Sequence, residues 1–157
     1  MTNRTRHTVE AFFAAYGSRD PVGVGALVSD DIDWRVTGPV EVMSFCGHWR
    51  GKMAVMRMLR ESVPGVFEQR TMVNEELLID GDRAAAFAKL SGVQRRTGRV
   101  ISYRLAHFIR LEGDEIVEIR TLIDSLNAAE QLLGHRIDLS REGQPALLEA
   151  EGDLVAV

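Results

Sequence analysis

Between residues 100 and 123 the chain carries two strand-like segments of different character joined by a glycine turn. The first, residues 100–111, is apolar on both faces and is interrupted by Arg104, His107 and Arg110, which suits a central strand. The second, residues 116–123, alternates, with Val117, Ile119, Thr121 and Ile123 on one side and Glu118 and Arg120 on the other. Gly113-Asp114 suits a two-residue hairpin turn with glycine leading. With that pair at the centre, the register sets Phe108 opposite Ile119 and Ala106 opposite Thr121, and it places His107 beside Arg120 and Tyr103 beside Asp124. The hairpin is therefore expected to turn Ala106, Phe108, Ile119 and Thr121 toward a cavity and His107 away from it.

Upstream, Val9, Phe12, Phe13 and Tyr16 fall at the spacing of one buried helical face, and Gly17 is expected to stop that helix. Asp20-Pro21 caps and opens a short second helix through Val28, weakened by Gly23 and Gly25. Residues 33–37 read as a strand with Trp34 and Val36 on one side. Residues 38–51 lack periodicity and read as a long loop, followed by a third helix over 52–62. Its stripe is Met53, Met56, Leu59 and Val63, and Pro64-Gly65 is expected to break it. Strands are then expected over 66–79 and 84–94, before the hairpin, and a closing helix capped at Asp124-Ser125 and ended by Gly134. Helices first and an antiparallel meander afterwards indicate an α+β fold with the helices on one face of the sheet. A sheet curling around that layer needs bulges, and each bulge changes which residues face inward.

The 157 residues are read as one domain over 1–139 with an acidic tail over 140–157, and no internal repeat is found. A formal charge of -4 argues against a nucleic-acid partner, which requires a concentrated basic surface. The basic cluster Arg95, Arg96 and Arg99 is read as a solvated hairpin tip. One cysteine, Cys46, excludes an internal disulfide, and no apolar run is long enough to span a bilayer. The N-terminus lacks a secretory apolar stretch, so the expected location is cytoplasmic. The 4 histidines show no ligand spacing, so no metal site is expected.

The segments 9–20, 27–34, 47–51, His107-Phe108 and 113–124 together resemble the nuclear transport factor 2-like superfamily, in its SnoaL-like and ketosteroid-isomerase-like branch. The resemblance covers roughly residues 5 to 135. It implies a cone, a strongly curved and mostly antiparallel sheet wrapped around three N-terminal helices with a short C-terminal helix, open at one end to an apolar pocket. It also implies a homodimer through the outer sheet face, with Leu105, Ile109 and Leu122 at or near the interface, and no cofactor. In a gapless alignment the ketosteroid-isomerase base and oxyanion groups fall on Val36, Phe12 and Ala106, none of which exchanges a proton. The limonene-epoxide-hydrolase positions fall on Leu90, Thr121, Ala88, Trp34 and Val36, so that water-activating set is missing too.

The resemblance thus implies a container for a small apolar molecule, lined by Trp34, Val36, Phe12 and Tyr16, by Met56, and by the hairpin residues Ala106, Phe108, Ile119 and Thr121. His48, in the loop before the third helix, is expected at its mouth. Catalytic candidates are His107 as acid or base, Asp124 as base, His48, and Tyr16 as a hydroxyl donor. Each has a plainer reading: His107 on the outer face, Asp124 as a helix cap, His48 solvated, Tyr16 in the core. Arg104 and Arg120 could bind an anion or pair with carboxylates such as Glu118. Isomerisation, cyclisation, hydration and hydrolysis suit the container, and a non-catalytic ligand-binding or dimerisation module is the alternative.

Overall fold

Three helical elements fill the concave side of one six-stranded sheet in the computed structural model, which describes residues 2–140. The tail beyond residue 140 lies outside the described residues. Helix α1 (Thr2–Gly17) buries Val9, Phe12, Phe13 and Tyr16, as its periodicity predicts. It ends at Gly17 as expected, and Arg19, two residues on, lies in the left-handed region with φ 59. The amide of Asp20 donates to the Ala15 carbonyl and that of Arg19 to the Tyr16 carbonyl, which closes the last turn. Asp20 then caps α2 (Pro21–Gly25) by accepting from the Gly23 amide at 2.9 Å.

Strand β1 (Val28–Thr37) begins five residues before the predicted start, and part of the expected loop forms β2 (Gly47–Arg50). The third helix also outruns its prediction. Helix α3 (Lys52–Arg57) continues through a π-helical turn (Met58–Ser62) into α4 (Val63–Val66), so Pro64 lies inside the helical run. Proline removes a donor and crowds the carbonyl one turn back, and the wider turn before it absorbs both effects. The buried stripe is accordingly Val55, Met58, Leu59 and Val63, while Met53 is exposed.

Strands β3 (Phe67–Asp80), β4 (Arg83–Gln94), β5 (Val100–Glu112) and β6 (Glu115–Ile123) follow, with α5 (Ser125–Leu133) closing the described chain. The sheet order is β2-β1-β6-β5-β4-β3, antiparallel except for β1 beside β6. It is the expected α+β cone, open at its edges.

Two bulges decide what faces inward. In the β5–β6 hairpin the pairs run Glu112 with Glu115 and Leu111 with Ile116, but then Arg110 with Glu118, leaving Val117 as an extra residue. Everything beyond it is therefore displaced by one from the gapless register, and a one-residue slip exchanges the faces of a strand. His107 pairs with Thr121 and is fully buried; Phe108 pairs with Arg120 and is half exposed; Ala106 pairs with Leu122 on the outer face. Leu105 and Ile109, expected near an outer interface, are buried inside, whereas Leu122 is exposed as expected. The second bulge lies between Phe67 and Gln69 of β3, so that both Phe67 and Arg70 turn inward. Gly92 permits it: a Cβ there would stand 2.8 Å from the Gln69 carbonyl oxygen and 3.0 Å from the Phe67 ring.

Candidate functional site

The buried polar side chains of the described residues are Thr5, Thr8, Ser29, Arg70, Gln94, His107 and Thr121, and no carboxylate is among them. Three residues at the centre of the cone form a chain. The Trp34 indole Nε1–H donates to Thr121 Oγ1 at 3.0 Å, and Thr121 Oγ1 lies 2.8 Å from His107 Nδ1. An indole only donates, so the Thr121 oxygen accepts from it, and toward His107 Nδ1 the hydroxyl can donate its hydrogen or accept a second time. In the tautomer that gives the hydroxyl hydrogen an acceptor, Nδ1 accepts and Nε2 carries the ring proton. That Nε2–H is buried and has no partner.

His107 packs against Phe13 at 5.7 Å and edge-on to Tyr16 at 5.8 Å between ring centroids. Burial, reinforced by the charge of Arg70, pushes the imidazole pKa down to about 3. At neutral pH it is an uncharged hydrogen-bond donor. Tyr16 bridges to Arg70, whose guanidinium carbon lies 4.5 Å from the tyrosine ring centroid and whose Nη2 donates to the Tyr16 carbonyl at 2.9 Å. Tyr103, from β5, is buried beside Phe67; burial, then Tyr16 and Cys46, raises its hydroxyl pKa well above the usual range against an opposing effect of Arg70. It stays a neutral phenol.

Arg70, beside this cluster, also lines a cleft. The cleft encloses about 350 Å³ between the end of α1 and the π-helical turn, and Arg19, Arg60, Leu59 and Arg70 are among its lining residues. It leads to a cavity of about 10 Å³ lined by Tyr16, Leu59, Val24 and Arg70. Arg19 spans the entrance, donating to the Glu68 carbonyl at 3.1 Å. The inward face of β4 carries the small residues Ala84, Ala86, Ala88 and Gly92, with Leu90 between the last two.

Of the lining residues expected from sequence, Trp34, Val36, Phe12, Tyr16, Ile119 and Thr121 are buried in this interior. Four others are not there. Ala106 and Phe108 lie on the outer face because of the Val117 bulge. Met56 packs between helices, where its sulfur would stand 2.9 Å from a Cβ at Gly25. His48 is on β2, paired with Arg35 of β1, and its Nε2 lies 2.9 Å from Asp33 Oδ1 on the polar face of the sheet, away from the mouth. Burial disfavours ionised Asp33, but the His48 hydrogen bond and the charges of His48, Arg35 and Arg50 outweigh it and lower its pKa. Asp124 is exposed, and its side chain makes no cap bond; Ser125 Oγ donates to the Ile123 carbonyl there. Arg104 pairs with Glu75, and Arg120 with Glu118. Arg70 went unread in the sequence.

Residues 9–119 match the family of the SnoaL-like domain. The chain belongs to that family. Among solved structures it is similar to a candidate isomerase of Rhodopseudomonas palustris, with 27% identity and a TM-score of 0.70 over 81% of this chain and 93% of that one. A nuclear transport factor 2-like protein of Burkholderia pseudomallei aligns with TM-score 0.75 and 20% identity over 82% and 97% of the two chains. A protein of Catenulispora acidiphila with a ketosteroid-isomerase-like fold, in complex with trimethylamine, aligns with TM-score 0.68 and 16% identity over 82% and 92%. The last two establish the shared fold. No curated protein matches the chain. No helix of the described residues is long and apolar enough to cross a membrane, and no group of His, Cys, Asp or Glu among them is arranged to hold a metal ion.

Proposed function

We propose that this SnoaL-like protein binds a small organic molecule at the open end of the cone and polarises one of its oxygens through hydrogen bonds from the interior. The observation that carries this reading is the buried, unpartnered Nε2 of His107 at the end of the Trp34–Thr121 chain. A buried donor without a partner carries a desolvation cost of about 1–3 kcal/mol, which a ligand oxygen relieves. With neutral His107 and no buried carboxylate, the interior supplies donors, and Asp20 at the edge of the inner cavity is held by the Gly23 amide. The interior suits electrophilic assistance to an isomerisation or cyclisation in which the substrate or water takes the proton. The absence of a buried carboxylate also favours the second reading, a ligand-binding module without catalysis. Titration with small neutral carbonyl compounds such as acetophenone and cyclohexenone, followed by ¹⁵N NMR of the His107 ring, tests the site. The expected result is a shift of the Nε2–H resonance, and an unmoved resonance across such a panel would remove the reading.

The reading includes a homodimer and a cytoplasmic location. Phe87, Phe108, Leu122 and Leu78 are exposed on the outer face of the sheet, and an apolar group of that kind favours self-association.

A further inference from the structure

Arg70 is more than nine-tenths buried, yet only one of its nitrogens has a hydrogen-bond partner, the Tyr16 carbonyl. Nε and Nη1, which carry three N–H hydrogens, have none. No ion pair among the described residues involves Arg70. Asp20, the carboxylate that lines the inner cavity with it, is engaged with the Gly23 amide. The Tyr16 ring face compensates part of the charge. An unpaired buried guanidinium is otherwise costly, and the chain holds it in place with the bulge at Glu68 and the close approach allowed by Gly92.

Arg19 and Arg60 line the cleft that leads to Arg70, so the entrance is basic in a chain whose formal charge is -4. Arg19 adopts its left-handed conformation there without being glycine. Leu59, Pro64 and Phe67 supply apolar walls beside these cations. We infer that the ligand of this site is an organic acid, whose carboxylate accepts from the free N–H groups of Arg70 while its apolar body lies along Leu59 and Phe67. This rests on the proposed interior site and adds to it the charge of the ligand. Guanidinium donors match the two oxygens of a carboxylate, and a neutral amide of the same shape offers one acceptor and no charge.

The test compares matched pairs: benzoate with benzamide, phenylacetate with phenylacetamide, and octanoate with octanamide. Binding to the full chain is followed by the Arg70 Nε–H and His107 Nε2–H resonances. At least one acid is expected to shift the Arg70 resonance and to bind about tenfold or more tightly than its amide, as a charge-assisted hydrogen bond requires. Arg70→Met should erase that preference while leaving the thermal midpoint unchanged or higher, because it removes an unpaired buried charge and keeps the aliphatic stem. Should Arg70→Met not fold, the wild-type resonance and the acid-to-amide ratio still decide. Equal binding of acids and amides, with His107 shifted, would overturn the acid assignment and leave the interior site standing. If no compound moves either resonance, both readings fail.

Discussion

Replacing Thr121 by valine keeps the shape of the side chain and deletes the one atom that joins Trp34 to His107. Trp34 is 1% exposed, Thr121 3% and His107 0%, so water cannot take the place of the hydroxyl. The substitution orphans the indole N–H, held at 3.0 Å, and His107 Nδ1, held at 2.8 Å. Each buried unsatisfied group costs about 1–3 kcal/mol, so the expected loss is about 2–6 kcal/mol, a large part of the usual stability of a single domain. Thr121→Ser keeps the hydroxyl and loses one methyl, which costs about 1 kcal/mol. Urea denaturation followed by circular dichroism reads both variants. With a slope of about 2 kcal/mol/M, Thr121→Val should lower the midpoint by about 1–3 M and Thr121→Ser by about 0.5 M. The His107 ring resonances should broaden or change tautomer in Thr121→Val alone. If valine is tolerated as well as serine, the hydroxyl does not link the two rings.

The remaining predictions concern pH, backbone strain, packing and activity. The folded His107 pKa of about 3 lies below the ordinary imidazole value of 6.5, so below that value the unfolded chain binds a proton that the folded chain refuses. Stability attributable to His107 should therefore fall as pH drops from 6.5 toward 3, by about 2–3 kcal/mol already at pH 4.5, and His107→Asn should flatten that slope in urea titrations. Arg19→Gly relieves the left-handed residue at φ 59 and should raise the urea midpoint by about 0.5 M, with weaker binding of any anionic ligand. Gly92→Ala forces a methyl within 2.8 Å of the Gln69 carbonyl oxygen and should destabilise by about 2 kcal/mol, measured in the same way. A steroid whose isomerisation forms a conjugated enone should not be turned over above background, since the interior offers no carboxylate base. Light scattering at micromolar concentration should give a dimer mass, and Phe108→Glu a monomer.

Local rules were enough for most elements. The helical stripe of α1, the Asp20 cap, the turn at Gly113 and the long strands after residue 66 all follow from residue spacing, and each is present. What local rules do not carry is the phase of a strand after a bulge. Reading the β5–β6 register outward from its turn counts Val117 as a paired residue, and the error propagates to every position beyond it. The signal that corrects it lies in β5 itself: Ile101, Tyr103, Leu105, Ile109 and Leu111 share one parity with His107, while Ser102, Arg104 and Arg110 share the other. Burial of an apolar face outweighs the geometry of one turn, because five large side chains contribute several kcal/mol and a bulge costs one unpaired residue. The π-helical turn escaped notice for a related reason, since Pro64 reads as a stop unless the preceding turn widens.

The same mechanism explains why the polar interior was hard to see. In β3 the alternation Phe67, Gln69, Thr71, Val73 sets Arg70 with Glu68 on the polar side, and only the extra residue Glu68 turns Arg70 inward beneath Phe67. A lone glycine in the facing strand, Gly92, is the mark such a bulge leaves in a sequence, because the displaced Gln69 carbonyl needs the space of a missing Cβ. Both inward polar groups, His107 and Arg70, therefore owe their position to one inserted residue in a neighbouring or preceding strand segment. An unbulged sheet with this sequence would present Ala106, Phe108 and Gln69 to the helices and put the imidazole and guanidinium in water. Curvature and chemistry have one cause here: the bulges that bend the sheet into a cone also bring its donors into the interior.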